Sequence, residues 1–218
     1  MGLGQTSGLM YLSIGFGRIR RTANEGTEGA VERALKSGKK TYAIEYNYVS
    51  GTLVDIKFKD DTEYGKSWTL IIKDGDKDYG VQISEESRYA SDLLKCMPNL
   101  HKNQYYKFTP YDFENNGKRK KGLSIKNEHA ERVENYYQDF NQVDGKWDIK
   151  NKHGFPVYEG DSKDTDELKI YFMRATKFLR EKALEHVATH FGDGNNDPLL
   201  NQDNSEPGKD QPEDDLPF

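Results

Sequence analysis

The run Tyr105-Tyr106-Lys107-Phe108-Thr109-Pro110-Tyr111-Asp112-Phe113 interleaves aromatic rings with a lysine, and four cations follow in Lys118-Arg119-Lys120-Lys121. Rings offer faces on which bases stack, at about 1–3 kcal/mol per base, while ammonium and guanidinium groups follow the phosphates. Trp68 and Tyr79 extend the same pattern upstream, with Lys57 and Lys59 nearby. The stacking candidates are therefore Trp68, Tyr79, Tyr106, Phe108, Tyr111 and Phe113. The phosphate candidates are Lys57, Lys59, Lys107, Lys118, Arg119, Lys120 and Lys121, and Lys66, Lys73 and Lys126 add charge. The plain alternative is that tyrosines are good strand residues and the basic run is a solvated hairpin tip. Aromatics occupy both parities of 105–113, so one set can fill a core while the other faces out, and periodicity alone does not say which.

These residues need strands to hold them. Residues 9–22 read as a strand with glycine breaks, and 24–40 as a polar link with a helical stretch over Glu28–Lys36. Alternation from Tyr42 to Tyr48, resuming at Ile56 and Phe58, predicts one long strand that Gly51 bends or bulges. Trp68, Leu70 and Ile72, the turn Asp74-Gly75-Asp76, then Tyr79, Val81 and Ile83 predict a hairpin. Ser84 is placed to cap a helix with apolar face Tyr89, Ala90, Leu93, Leu94 and Met97, stopped by Pro98. Gln104–Phe113 and Gly122–Lys126 predict a second hairpin around the basic loop. Long bent strand, hairpin, helix, hairpin is the order of a five-stranded OB-fold barrel, with the helix between strands three and four; SH3-like barrels with an added helix are the alternative. In an OB-fold the first hairpin belongs to the ligand face and the loop between strands four and five clamps the ligand. Residues 127–164 read as an irregular insertion, and Thr165 as the cap of a long helix through Phe191 that packs on the core. The expected division is an arm (1–40), a barrel (41–126), the insertion (127–164), the helix (165–192) and a disordered tail (193–218).

The net charge of −5 hides a split. Residues 193–218 hold eight acids and one lysine, a charge of −7, so residues 1–192 carry +2. The mildly basic part keeps nucleic acid open as a ligand despite an acidic whole-chain pI of 5.6. No apolar run is long enough to span a membrane, and residues 1–21 lack the apolar stretch of a signal peptide. A single cysteine, Cys96, excludes an intramolecular disulfide and fits a reducing, cytoplasmic setting.

The chain closes on Asp214-Asp215-Leu216-Pro217-Phe218, an apolar tip on an acidic, proline-containing leash. Such a leash buries too little apolar surface to order itself, which leaves the tip available to dock. The tip resembles that of bacterial single-stranded DNA-binding proteins, in which aspartates precede a hydrophobic residue, a proline and a terminal phenylalanine. Those proteins share the plan of one OB-fold followed by a leash, and several bacteriophage DNA-binding proteins carry similar acidic tails. The resemblance covers five tail residues closely and the strand order of 41–126 loosely. It implies a non-enzymatic protein that coats single-stranded DNA during replication, recombination or repair. Phe218 would enter an apolar pocket on a helicase, polymerase, primase or nuclease, with Asp214, Asp215, Leu216 and Pro217 flanking it. The arm, the insertion and the long helix depart from the family. They point to a divergent member that a phage could encode, acting in the host cytoplasm, and leave its homo-oligomeric state open.

Three weaker signals carry less. Asp74, Asp76, Asp78 and Glu85 have EF-hand spacing, but Tyr79 stands where the loop needs glycine and strands flank it. His186 and His190 lie on one helical face without a third metal ligand. Cys96 reads as core. No phosphate-binding glycine loop, nucleophile elbow or paired Cys-x-x-Cys occurs, so no cofactor, metal or catalytic residue is expected. Two other readings stand beside DNA coating: an RNA-binding barrel, and a protein-interaction module with the tail as tether.

Overall fold

The computed structural model describes residues 8–34, 38–61, 65–143, 146–160 and 164–192. The expected tail and its tip, Asp214 to Phe218, lie outside the described residues. The protein is mainly β. Strands β1 (Met10–Gly15), β2 (Arg18–Ala23), β3 (Ala30–Ala34), β4 (Lys40–Tyr46), β5 (Val49–Asp61), β6 (Gly65–Asp74) and β7 (Lys77–Ser84) precede helix α1 (Arg88–Cys96). β8 (Tyr105–Asn115) and β9 (Lys118–Asn127) complete one sheet, ordered β3-β4-β2-β1-β7-β6-β5-β8-β9. Among the described residues β1 and β7 pair in parallel, and the other strand pairs are antiparallel. A separate hairpin, β10 (Gln138–Val143) and β11 (Lys146–Asn151), leads to the long helix α2 (Thr165–His190).

The sheet curls back on itself. Four strands lie between β2 and β8 in its order, yet the β1–β2 turn touches β8: a Cβ on Gly17 would fall 2.6 Å from the Asp112 backbone nitrogen. β8 is free to meet this turn because its ladder with β5 runs only from Tyr105 to Phe108, and Pro110 has no N–H to extend it. α1 lies along the outer edge of β9, where the Asp92 carboxylate accepts the Leu123 N–H at 3.0 Å. Inside the curl Leu53, Ile56, Trp68, Leu70, Ile72, Phe108 and the apolar face of α1 are buried. Each fully buried side chain of this size contributes about 1.5–3 kcal/mol. α2 adds Ala175, Leu179, Ala183 and Val187, a single stripe at i,i+4 spacing.

Several expectations change. The arm is not separate from the sheet but supplies three of its strands, and within the stretch expected to be helical Ala30–Ala34 forms β3, residues 35 and 36 lying outside the described residues. Gly26 and Gly29 precede β3 at φ of 78° and 76°, and the open edge of β4 offers Ala30–Ala34 a ladder. The predicted long strand breaks at Asn47-Tyr48 instead of Gly51, because β4 pairs with β2 and β3 while β5 pairs with β6 and β8. The bulge falls between Leu53 and Asp55. Gly51 serves a close approach: a Cβ there would collide with the Lys73 carbonyl. The helix caps move to Ser87, whose hydroxyl accepts from Ala90 N at 3.2 Å, and to Asp164, which accepts from Asp166 and Glu167 N. The insertion contains an ordered hairpin, tied to α2 through Tyr137, Phe155 and Phe178. The first hairpin has the expected form, turning at Gly75-Asp76 with Asp74 opposite Lys77.

Candidate nucleic-acid interface

The pleat of β8 sorts the aromatic run into two sets. Tyr106, Phe108 and Pro110 point into the core, and Tyr105, Lys107, Thr109, Tyr111 and Phe113 point out. Tyr106 is buried at 2% exposure, its hydroxyl accepting from His101 N and donating to Gln104 Oε1. Phe108 and Trp68 are fully buried, and Trp68 packs on Phe58 with ring centroids 4.8 Å apart. Tyr79 is half-buried against the same core. A ring without an exposed face offers a base nothing to stack on, so Trp68, Tyr106 and Phe108 belong to folding. Of the six aromatic candidates, Tyr111 and Phe113 are on the outer face of β8.

Those two are neighbours, with centroids 5.9 Å apart. Tyr111 lies across Gly122, its partner on β9, since a Cβ on Gly122 would collide with the Tyr111 hydroxyl and the Asp92 carboxylate. A glycine opposite an aromatic residue lets the ring lie flat over the neighbouring strand. Burial, with Asp92 nearby, raises the Tyr111 phenol above its ordinary pKa. Phe113 is half exposed, as are Tyr105 and Tyr48, and Lys107 Nζ sits 3.8 Å from the Tyr48 ring centroid. Tyr48 and Tyr105 are outward-facing residues that sequence parity did not single out. From Tyr105 to Phe113 the stripe runs about 26 Å at roughly 3.3 Å per residue.

Register also sorts the charges. The outer face of β9 presents Lys118, Lys120, Gly122, Ser124 and Lys126, with Lys120 opposite Phe113 and Lys126 opposite Lys107. Ser50 and Thr52 of β5 continue the face beside Lys107 and Tyr105. No Asp or Glu occupies an outer position of β8, β9 or this part of β5. The acids take the opposite parity: Asp112 and Glu114 pair with Lys121 and Arg119. Arg119 grips Asp112 in a bidentate pair, both contacts 2.7 Å, and this holds the Asp112 carboxyl below its usual range. Lys121 Nζ lies 4.9 Å from the Tyr89 ring. The predicted basic loop therefore divides, with Lys118 and Lys120 on the aromatic face and Arg119 and Lys121 off it. Lys57 is buried 3.8 Å from Asp55, and Lys59 is exposed; both lie past the bulge, where β5 pairs with β6 rather than β8.

The weaker signals find other places. Glu85 is buried and accepts from Arg180 Nη1 at 2.9 Å, and burial raises its pKa despite that arginine. His186 Nε2 lies 3.2 Å from the Leu100 carbonyl, beside His190. Burial pushes the Cys96 thiol up to about 12. Among the described residues no three His, Cys, Asp or Glu side chains converge as metal ligands, and no helix is long and apolar enough to cross a membrane. Set against protein-family models, curated proteins and solved structures, the chain finds no match in any of the three.

Proposed function

We propose that the protein binds single-stranded DNA with little sequence preference, on the outer face of β8 and β9, and is not an enzyme. The observation that carries this reading is an outer face whose strand positions hold no acid, Asp92 of α1 being the carboxylate beside Tyr111, with Tyr48, Tyr105, Tyr111 and Phe113 among Lys107, Lys118, Lys120 and Lys126. Aromatic faces among cations suit an unpaired strand, whose bases are free to stack while its phosphates meet the lysines. The order β7-β6-β5-β8-β9, with α1 between β7 and β8, supports an OB-type core, to which β1–β4 are additions. In this reading the tip Asp214 to Phe218 recruits replication or repair enzymes in the cytoplasm, while the −7 charge of 193–218 opposes DNA binding by the basic part.

The test is fluorescence anisotropy of labelled oligo(dT) against salt. The anisotropy of the labelled strand is read rather than Trp68 emission, because Trp68 is fully buried. Four lysines on the face predict a log–log salt slope near −2.8, at about −0.7 for each phosphate neutralised on a single strand. No binding at micromolar protein and low salt refutes the proposal. A matched RNA strand binding more tightly than the DNA redirects it to RNA.

A further inference from the structure

The β1–β2 turn has a backbone that its sequence should avoid. Phe16 sits at φ 53° and Gly17 at φ 70°, the left-handed pair of a tight hairpin turn that Asn, Asp or Gly usually fill. A bulky residue in that region is an outlier, of the kind that gathers at functional sites. The seam explains Gly17: its N–H donates to the buried Tyr89 hydroxyl at 2.8 Å, and its Cα lies against β8. The seam makes no such demand for phenylalanine at 16.

The half-buried Phe16 ring is layered with two guanidinium groups. Arg33 Cζ lies 4.7 Å and Arg20 Cζ 5.2 Å from its centroid. Both arginines share one carboxylate, Glu45: Arg33 binds it bidentately at 2.7 and 2.9 Å, and Arg20 Nε is 3.5 Å away. Arg18, exposed on the same face as Arg20, adds its positive field to Glu45. Three positive charges thus surround one negative charge. Because Gly17 abuts the Tyr111–Asp112 backbone, the cluster sits across the seam from Tyr111 and Phe113.

We infer that Phe16, Arg18 and Arg33 continue the single-strand track across the seam, the two arginines holding phosphates and the Phe16–guanidinium layer carrying a base, while the buried Arg20 stays with Glu45. This rests on the reading above. Aromatic rings and guanidinium planes both serve as stacking surfaces for unpaired bases. The arginine fork also suits phosphate oxygens better than a lysine point charge does.

The experiment uses the full chain, Phe16→Gly and Arg18→Ala, with oligo(dT) of about 5 and about 16 nucleotides, spanning the usual site sizes of such barrels. Glycine relaxes the turn, so thermal stability should hold or rise in Phe16→Gly. Its affinity for the longer strand should fall roughly 5- to 150-fold, the loss of one stacked base, while the shorter strand is little affected. Arg18→Ala should reduce the salt slope for the longer strand by about 0.7. Wild-type binding of the longer strand by both variants overturns the inference and leaves the β8–β9 reading standing. If the wild type binds neither strand, the β8–β9 reading fails as well.

Discussion

Phe108→Ala and Phe113→Ala delete the same atoms five residues apart on one strand, and the two should fail in opposite ways. Phe108 is fully buried beside Tyr106, so its truncation leaves a cavity that the surrounding core only partly fills. Such losses run to about 3–5 kcal/mol, a large share of the roughly 5–15 kcal/mol that holds a domain together. Phe113 is 50% exposed, so it contributes about half of a buried side chain, or about 1 kcal/mol, to folding. Its free ring face is instead worth about 1–3 kcal/mol to a stacked base, a 5- to 150-fold loss of affinity. Urea unfolding followed by circular dichroism gives the first quantity, and oligo(dT) anisotropy on folded protein gives the second. Phe108→Ala should shift the urea midpoint strongly and, while folded, bind near normally; Phe113→Ala should do the reverse. A Phe108→Ala variant as stable as wild type but unable to bind would refute the assignment of faces.

Lys120→Ala should lower the salt slope of oligo(dT) binding by about 0.7, whereas Lys57→Ala should leave that slope unchanged, because Lys57 is buried beside Asp55. Arg180→Ala strands the buried Glu85 carboxylate and should destabilise by about 3–5 kcal/mol in urea unfolding, with Glu85→Gln in the same chain recovering much of the loss. Acid should weaken the fold partly through Glu45 and Asp112, whose carboxyls arginine partners hold low. A carboxyl with a depressed folded pKa adds stability above its ordinary pKa of about 4 and loses it as pH falls further, so Asp112→Asn should flatten the fall of the urea midpoint below pH 4. Gly51→Ala forces a Cβ onto the Lys73 carbonyl at a φ of 153° and should destabilise by more than about 1 kcal/mol, measured by thermal unfolding.

Local pattern carried the central part of the fold. The first hairpin was legible from alternation about an Asp-Gly turn, and the two helices from their apolar stripes, with an acidic first turn on α2. What escaped was decided by partners distant in sequence. Ala30–Ala34 is a strand because β4 offers an edge, and 41–59 is two strands because its halves find different neighbours. The site shows the same limit. The basic loop and the aromatic run were visible, but their faces depend on strand register, which puts Phe113 with Lys120 and Asp112 with Lys121. Phe16 gave no sequence signal, because a phenylalanine does not mark a left-handed backbone as Asn, Asp or Gly would.

Photo-cross-linking with an oligo(dT) carrying 5-iodouracil tests the central claim most directly, since it reports which rings touch bases. The account predicts adducts at Tyr105, Tyr111 and Phe113, with Tyr48 beside them, formed less readily as salt rises. Adducts confined to the exposed Phe140 of β10, or to Tyr11 of β1, with none on the outer face of β8, would contradict it.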